Sequence, residues 1–186
     1  TVEYLTTTAW TGDAFAASQA ASEYYTLKPT EREDTEPPHV DPTVLADRNG
    51  IVAAALFDFA AVTDHDGAAR YAERALEHVL ETLVDDGRVT HFDGENSEAG
   101  LLVDHARLLS GLTAAAQVTG PDSWLKPARA VADDAIDQLV AEDGSFRDGT
   151  PVGSGLLDRP LYPIGTNAEM ANALLDLAAL TGDARY

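Results

Sequence analysis

The sequence predicts an all-α fold of repeated αα-hairpins forming part of a closed α/α toroid. Three observations carry this expectation. A shared pattern recurs: Val62-Thr63-Asp64, Val118-Thr119-Gly120 and Leu180-Thr181-Gly182 each close an apolar segment, with Thr-to-Thr spacings of 56 and 62 residues. After each comes an acidic turn and an aromatic residue, Tyr71, Trp124 or Tyr186. Each complete unit then ends in Asp-Gly, at Asp86-Gly87 and Asp143-Gly144, followed by a short extended piece. Recurrence at such a period marks stacked supersecondary units, because one hairpin cannot bury its own apolar face. Extended pieces between paired helices favour a ring, and a six-hairpin (α/α)6 ring would need roughly twice this length.

The elements follow in order. Val2 to Thr8 reads as the tail of a helix whose partner lies upstream. Residues 28–50 carry Pro29, Pro37, Pro38 and Pro42 among acids and show no periodicity, so a long connector that lines or lids a pocket is predicted there. In the first hairpin Ile51, Val52, Ala55, Leu56, Phe59 and Val62 recur at helical spacing, as do Leu76, Val79, Leu80 and Leu83. In the second, Leu101, Leu102, Leu108, Leu109, Leu112 and Val118 precede Val131, Ala135, Ile136 and Leu139. Asp66 and Asp122 are predicted N-caps, and Pro127 requires a place in the first turn of its helix. Met170, Ala173, Leu174, Leu177 and Leu180 open a third unit that stops at Tyr186. A first helix without its partner leads to the expectation that residues 1–186 are one partial toroid domain, a fragment of a longer chain.

Composition excludes several functions. Thirty-two Asp and Glu stand against twelve Lys and Arg, a net charge of −20 that repels phosphate backbones and disfavours nucleic acid. Lys28 and Lys126 are the sole lysines, and an Asp/Glu-rich, Lys-poor surface is what a halophilic protein presents to molar salt, where screening shrinks to about 3 Å. Cysteine is absent, which removes thiol chemistry and Cys-ligated metals from this stretch. No apolar run approaches the roughly 20 residues of a membrane span, and nothing resembles a signal peptide, so a cytoplasmic location is expected.

In such a ring the leading ends of the inner helices gather at one mouth. Three of them can be named: Asp47-Arg48-Asn49-Gly50, Asp104-His105, and Thr166-Asn167 with Glu169. Helix N-termini offer backbone N–H groups to anionic or hydroxyl-rich ligands, although plain N-capping explains Asn49, Asp104 and Asn167 equally well. Asp41, Asp47, Asp104 and Glu169 are candidate carboxylates for acid–base work on a glycosidic bond. His91, ahead of Asp93, Glu95 and Glu98, is a candidate base, and no ligand spacing along the sequence marks a metal site. Trp124 belongs to the repeat and is expected in the core, whereas Trp10, Tyr24 and Tyr25, near Ser18-Gln19, are better placed as sugar platforms. No phosphate-binding loop, nucleophile elbow or nucleotide fingerprint occurs, so no cofactor is expected.

The chain also resembles a known family. Ser18-Gln19 leads to Tyr24-Tyr25, Arg32, Pro38 and Asp41, then to Asn49-Gly50 before an apolar helix and to Leu102-Val103-Asp104-His105-Ala106. Pro163 through Asn167 then runs into Leu174-Leu175-Asp176-Leu177 and Thr181-Gly182-Asp183. This order is similar to the helical C-terminal region of the YyaL / spermatogenesis-associated protein 20 family of thioredoxin-domain-containing proteins. The resemblance implies a six-hairpin glycosidase-like toroid, an upstream thioredoxin-like domain as partner in the same protein, and, with the acidic composition, a haloarchaeal source. It implies a sugar-like small molecule bound by Gln19, Tyr24, Tyr25, Asn49 and Asn167, with Asp41, Asp104 and His91 as catalytic candidates. Departures include Ala20-Ala21-Ser22 and Asp41-Pro42-Thr43 where the family carries further acids, and Arg48 where it has Trp. Those losses favour the alternative of a non-catalytic scaffold or protein-interaction module.

Overall fold

Helices of two kinds alternate, and their composition decides which lies inside. The computed structural model describes residues 1–20, 23–63, 65–95, 97–150 and 159–186; Ala21, Ser22 and Asp64 of the patterns above lie outside the described residues. In order come α1 (Val2–Thr7), β1 (Ala16–Gln19), a 3-10 turn (Glu23–Thr26), α2 (Pro29–Arg32), β2 (Val40–Val44), α3 (Ala46–Thr63) and α4 (Asp66–Leu83). The short strands β3 (Val84–Asp85) and β4 (Arg88–Val89) follow, then α5 (Leu102–Thr119), α6 (Leu125–Leu139) and α7 (Ile164–Thr181).

Helices α3, α5 and α7 are apolar over most of their circumference and lie side by side, with α5 between the other two. Helices α4 and α6 are amphipathic and cover them from outside. Ala68, Ala72, Ala75, Leu76 and Val79 of α4 and Ala128, Val131, Ala132, Ala135 and Leu139 of α6 are the buried stripes, at the i, i+3, i+4 spacing of an amphipathic helix. Alanine on the outer helices lets them sit close to leucine-rich inner ones. Where Gly50 of α3 faces α5, the backbones themselves touch: a Cβ there would lie 2.5 Å from the Arg107 carbonyl oxygen.

The repeated Thr has a physical cause. Thr63, Thr119 and Thr181 each donate a hydroxyl bond to the carbonyl four residues back, at 2.6, 2.9 and 2.7 Å, so the hydroxyl is satisfied within its own last helical turn. Trp124, buried as expected, donates its indole N–H to Thr119 at 2.9 Å. Asp86 and Gly87 both have positive φ (46° and 89°), the backbone of a two-residue β3–β4 hairpin. Pro127 lies in the first turn of α6.

Several expectations change. His65 rather than Asp66 caps α4, its Nδ1 accepting the Ala68 N–H at 3.0 Å, and α6 starts after Trp124 without a side-chain cap bond. Residues 28–50 are not one connector: α2 occupies a turn of it, β2 pairs antiparallel with β1, and Ala46–Gly50 is already helix. Trp10 is no open platform, because its ring packs edge-on against Phe15 and Tyr71, with centroids 5.0 and 4.8 Å away. Among the described residues no helix is long and apolar enough to cross a membrane.

Candidate functional site

Every inner helix must anchor the N–H groups of its first turn, and the way this chain does so builds the site. The Ala46 N–H at the head of α3 donates to the His91 carbonyl at 2.9 Å, and the Leu102 N–H at the head of α5 donates to the Asp148 carbonyl at 2.9 Å. Each extended piece is thereby fastened across the start of the preceding unit's inner helix. A Leu45–Phe92 bridge strengthens the first of these joints. His91 is thus held beside the first turn of α3, far from it in sequence.

The fourth residue of each inner helix is a strut. Asn49 donates to the Phe15 and Leu45 carbonyls, both at 3.0 Å, and accepts the Phe15 N–H at 2.8 Å. Asn167 does the same with Phe146 and Pro163, at 2.9, 3.0 and 2.7 Å. Both amide N–H groups of each are therefore engaged, and Asn49 is fully buried. The expectation that they hydrogen-bond a ligand gives way to a backbone clamp. His105 holds the same place in α5. Its Nδ1 donates to the Leu101 carbonyl at 2.8 Å and its Nε2 meets Asp134 of α6 at 2.9 Å, so both ring nitrogens are engaged.

Asp104 does not cap its helix. It is fully buried and its carboxylate holds His91 Nδ1 at 2.9 and 3.2 Å, joining two of the three expected catalytic residues. Burial pushes the Asp104 carboxyl above its usual range and the neighbouring Asp47 adds to this, while the bond to His91 opposes it. The imidazole is partly exposed, with 28% of the side chain accessible, so it separates the buried acid from the surface.

Asp47, in the first turn of α3, and Glu169, in the second turn of α7, are drawn together by Arg107 of α5. The guanidinium bonds Asp47 Oδ2 at 2.9 Å and Glu169 Oε2 at 2.9 Å, tying the leading ends of all three inner helices. The carboxylate of Glu169, more than the other groups, holds the guanidinium above its ordinary range. Asp47 Oδ1 is buried with no hydrogen-bond partner among the described residues. One donor atom each from Asp47, His91 and Asp104 lies within 4.8 Å of the others, so these three could hold a cation that no linear spacing announced. Arg107 escaped the sequence reading altogether. The available signal was the one Arg or Lys of α5 in a chain with few cations.

The other expected residues lie apart. Asp41, the third catalytic candidate, is exposed on β2. Its Oδ1 accepts the Thr43 hydroxyl at 2.7 Å and the Thr43 N–H at 3.1 Å, which hold its carboxyl below the usual range. Among the described residues nothing joins it to His91 or Asp104, so the structure does not bring it into their site. Gln19 accepts from Tyr4 at 3.0 Å and from Tyr25, and donates to the Pro38 carbonyl at 3.0 Å. Tyr24 and Tyr25 meet edge-on beneath the Arg32 guanidinium, which lies 5.6 and 5.9 Å from their ring centres. This cluster borders a cavity of about 340 Å³ lined by Tyr4, Phe15, Gln19, Val40, Arg48 and Ile51. A further cavity of about 610 Å³ between α1 and α3 is walled by Leu5, Val52, Leu56 and Phe59, with Thr1 and Glu3 also lining it, and none of Asp47, His91 and Asp104 lines it. The polar chemistry lies at the inner-helix mouth instead.

With that geometry in hand, known structures can be compared. No protein-family profile matches the chain, and no curated protein does. Among solved structures it superposes on an α-mannanase of glycoside hydrolase family GH76 from Bacteroides thetaiotaomicron, with a TM-score of 0.65 and 17% identity over 82% of this chain and 42% of that one. A GH76 α-1,6-mannanase from a Salegentibacter species gives 0.65 and 16% identity over 77% of this chain and 44% of the other. A possible GH105 member from Salmonella enterica gives 0.50 and 11%, over 73% and 38%. The fold is the six-hairpin glycosidase-like α/α toroid. This chain spans less than half the length of the structures it matches. Identity this low carries the architecture and no more.

Proposed function

We propose that this toroid segment binds a sugar-like, hydroxyl-rich small molecule at the mouth of its inner helices, with His91 as the group that moves a proton. The observation that carries this reading is the fully buried Asp104 bonded to a partly exposed His91. A carboxylate on Nδ1 sets the imidazole tautomer and orientation, leaving Nε2 to take or give a proton. Support comes from an inactive GH76 variant with two aspartates replaced, which was solved with α-1,6-mannotetrose on the same architecture, at a TM-score of 0.62.

Pairing favours proton transfer through His91 over hydrolysis by two flanking carboxylates. Carboxylates that bracket a glycosidic bond must face it from both sides. Asp47 is instead tied to Arg107 and Asp104 to His91. The two Asp-Asp pairs of this chain, Asp85-Asp86 and Asp133-Asp134, lie at the β3–β4 turn and on the outer helix α6. An epimerase-like role therefore suits the site better than a mannanase-like one. Gln19, Tyr24 and Tyr25 would supply a separate platform, with Tyr25 about half exposed. Attachment to a thioredoxin-like domain rests on the sequence resemblance.

The second reading is a scaffold without catalysis, favoured by the clamps at Asn49, His105 and Asn167, which turn three polar mouth residues to structural use. Calorimetric titration of manno-oligosaccharides, N-acylated hexosamines and free hexoses separates the two. Saturable heat that disappears in His91→Ala is expected. Absence of heat with every sugar would leave the scaffold.

A further inference from the structure

We infer that Asp47, His91 and Asp104 form a binding site for a first-row divalent metal ion, of the Zn²⁺ or Mn²⁺ type, at the head of the inner helices. The inference goes beyond the sugar reading and does not need it.

Two independent observations meet here. First, the three residues present one donor atom each within 4.8 Å of one another, on α3, on the extended piece after β4, and on α5. Donors on one tetrahedral ion at about 2.1 Å stand about 3.4 Å apart. The 2.9 Å between His91 Nδ1 and Asp104 Oδ1 is a hydrogen bond whose proton an ion would displace to solvent, and donors that lie within 4.8 Å of one another would draw in by about 1–1.5 Å. Second, Asp47 is 8% exposed, and its Oδ1 is buried without a partner among the described residues while Oδ2 is held by Arg107. A buried carboxylate oxygen left bare is costly, and a cation is the partner that removes the cost.

Charge points the same way. Asp47, Asp104 and Glu169 are three carboxylates against the single guanidinium of Arg107, an excess of two negative charges when His91 is neutral. A dication balances that excess. The donor set selects its kind, since imidazole nitrogen suits Zn²⁺ and Mn²⁺ whereas Ca²⁺ seeks six to eight oxygens. Arg107 on Asp47 Oδ2 acts as the outer partner that orients a ligating carboxylate. Three protein ligands leave a position open to water or a ligand hydroxyl, the pattern of a reactive site and not of a closed structural one.

The test is isothermal titration of ZnCl₂ and MnCl₂ into chelator-treated protein, without sugar, alongside Asp47→Asn, His91→Gln and Asp104→Asn. One ion per chain is expected, with affinity lowered at least about tenfold in each folded variant and a thermal midpoint that rises with metal in the wild type alone. Circular dichroism establishes folding, and because His91 is partly exposed His91→Gln remains informative should either buried aspartate variant fail to fold. No saturable binding would overturn the inference. So would binding undiminished in the folded variants, which would put the ion on the acidic surface. Sugar binding by a protein that takes up no metal would leave the proposed function standing while this inference fell.

Discussion

Gly50→Ala probes the packing on which the site depends. The added methyl would lie 2.5 Å from the Arg107 carbonyl oxygen, 2.6 Å from its carbon and 2.6 Å from the Leu108 nitrogen. All three are backbone atoms, so no rotamer change gives relief, and α3 and α5 must part by about 1 Å to restore van der Waals contact at about 3.5 Å. Overpacking of this kind costs about 1–3 kcal/mol, while alanine in a helix recovers up to about 1 kcal/mol. A net loss of about 1 kcal/mol is expected, read as a lower urea midpoint at unchanged m-value. Gly165→Ala in α7 is the control. Its Cβ would meet nothing within 4 Å, so its stability should be unchanged or slightly raised. Equal midpoints for Gly50→Ala and wild type would refute close contact of the inner helices, and with it the shared mouth that Asp47 and Arg107 span.

Three further outcomes are expected. Asn49→Ala should lower stability by about 2–3 kcal/mol in urea melts, because it strands the buried Phe15 backbone groups, and sugar affinity should follow folding with no separate loss. Arg107→Met should cost roughly 1–3 kcal/mol, a figure discounted for the partial exposure of the pair, and removing Glu169 as well should add little, as a double-mutant cycle would show. The third concerns pH. Asp104 has its carboxyl raised by burial, so the native state holds its proton more tightly than the unfolded chain does. Its contribution is therefore full below the ordinary value of 3.8 and is lost as pH rises through the raised native value. Asp104→Asn, melted in chelator across that window, should gain on the wild type as pH increases; a constant difference would contradict the assignment.

The hairpin repeat was legible because its causes are local. Thr63, Thr119 and Thr181 donate to carbonyls within their own helices, and the apolar stripes of α4 and α6 follow the helical period. Caps were less legible. Acidic turns before α4 and α6 point to Asp66 and Asp122, yet any nearby acceptor satisfies an orphan N–H, and at α4 His65 does so. In the site, Asp104 and His91 stood out as polar residues near a helix head and an extended piece. Their pairing, however, depends on the bond from Ala46 to the His91 carbonyl, which no periodicity encodes. Asn49 and Asn167 have the same residue type whether they bind a ligand or clamp a backbone. Three-dimensional partners alone distinguish the two roles. Arg107 was invisible for the converse reason, since one arginine on an inner helix has no pattern until Asp47 and Glu169 arrive from other helices.

A histidine-resolved titration tests the central assignment most directly. The chain has five histidines, and long-range ¹H–¹⁵N spectra report each imidazole separately. Adding a sugar found to bind should move the His91 ring nitrogens, Nε2 most, while the rings of His39 and His78 stay in place. Shifts confined to residues around the α1–α3 groove, with His91 unmoved at saturation, would contradict the assignment of the site to the inner-helix mouth.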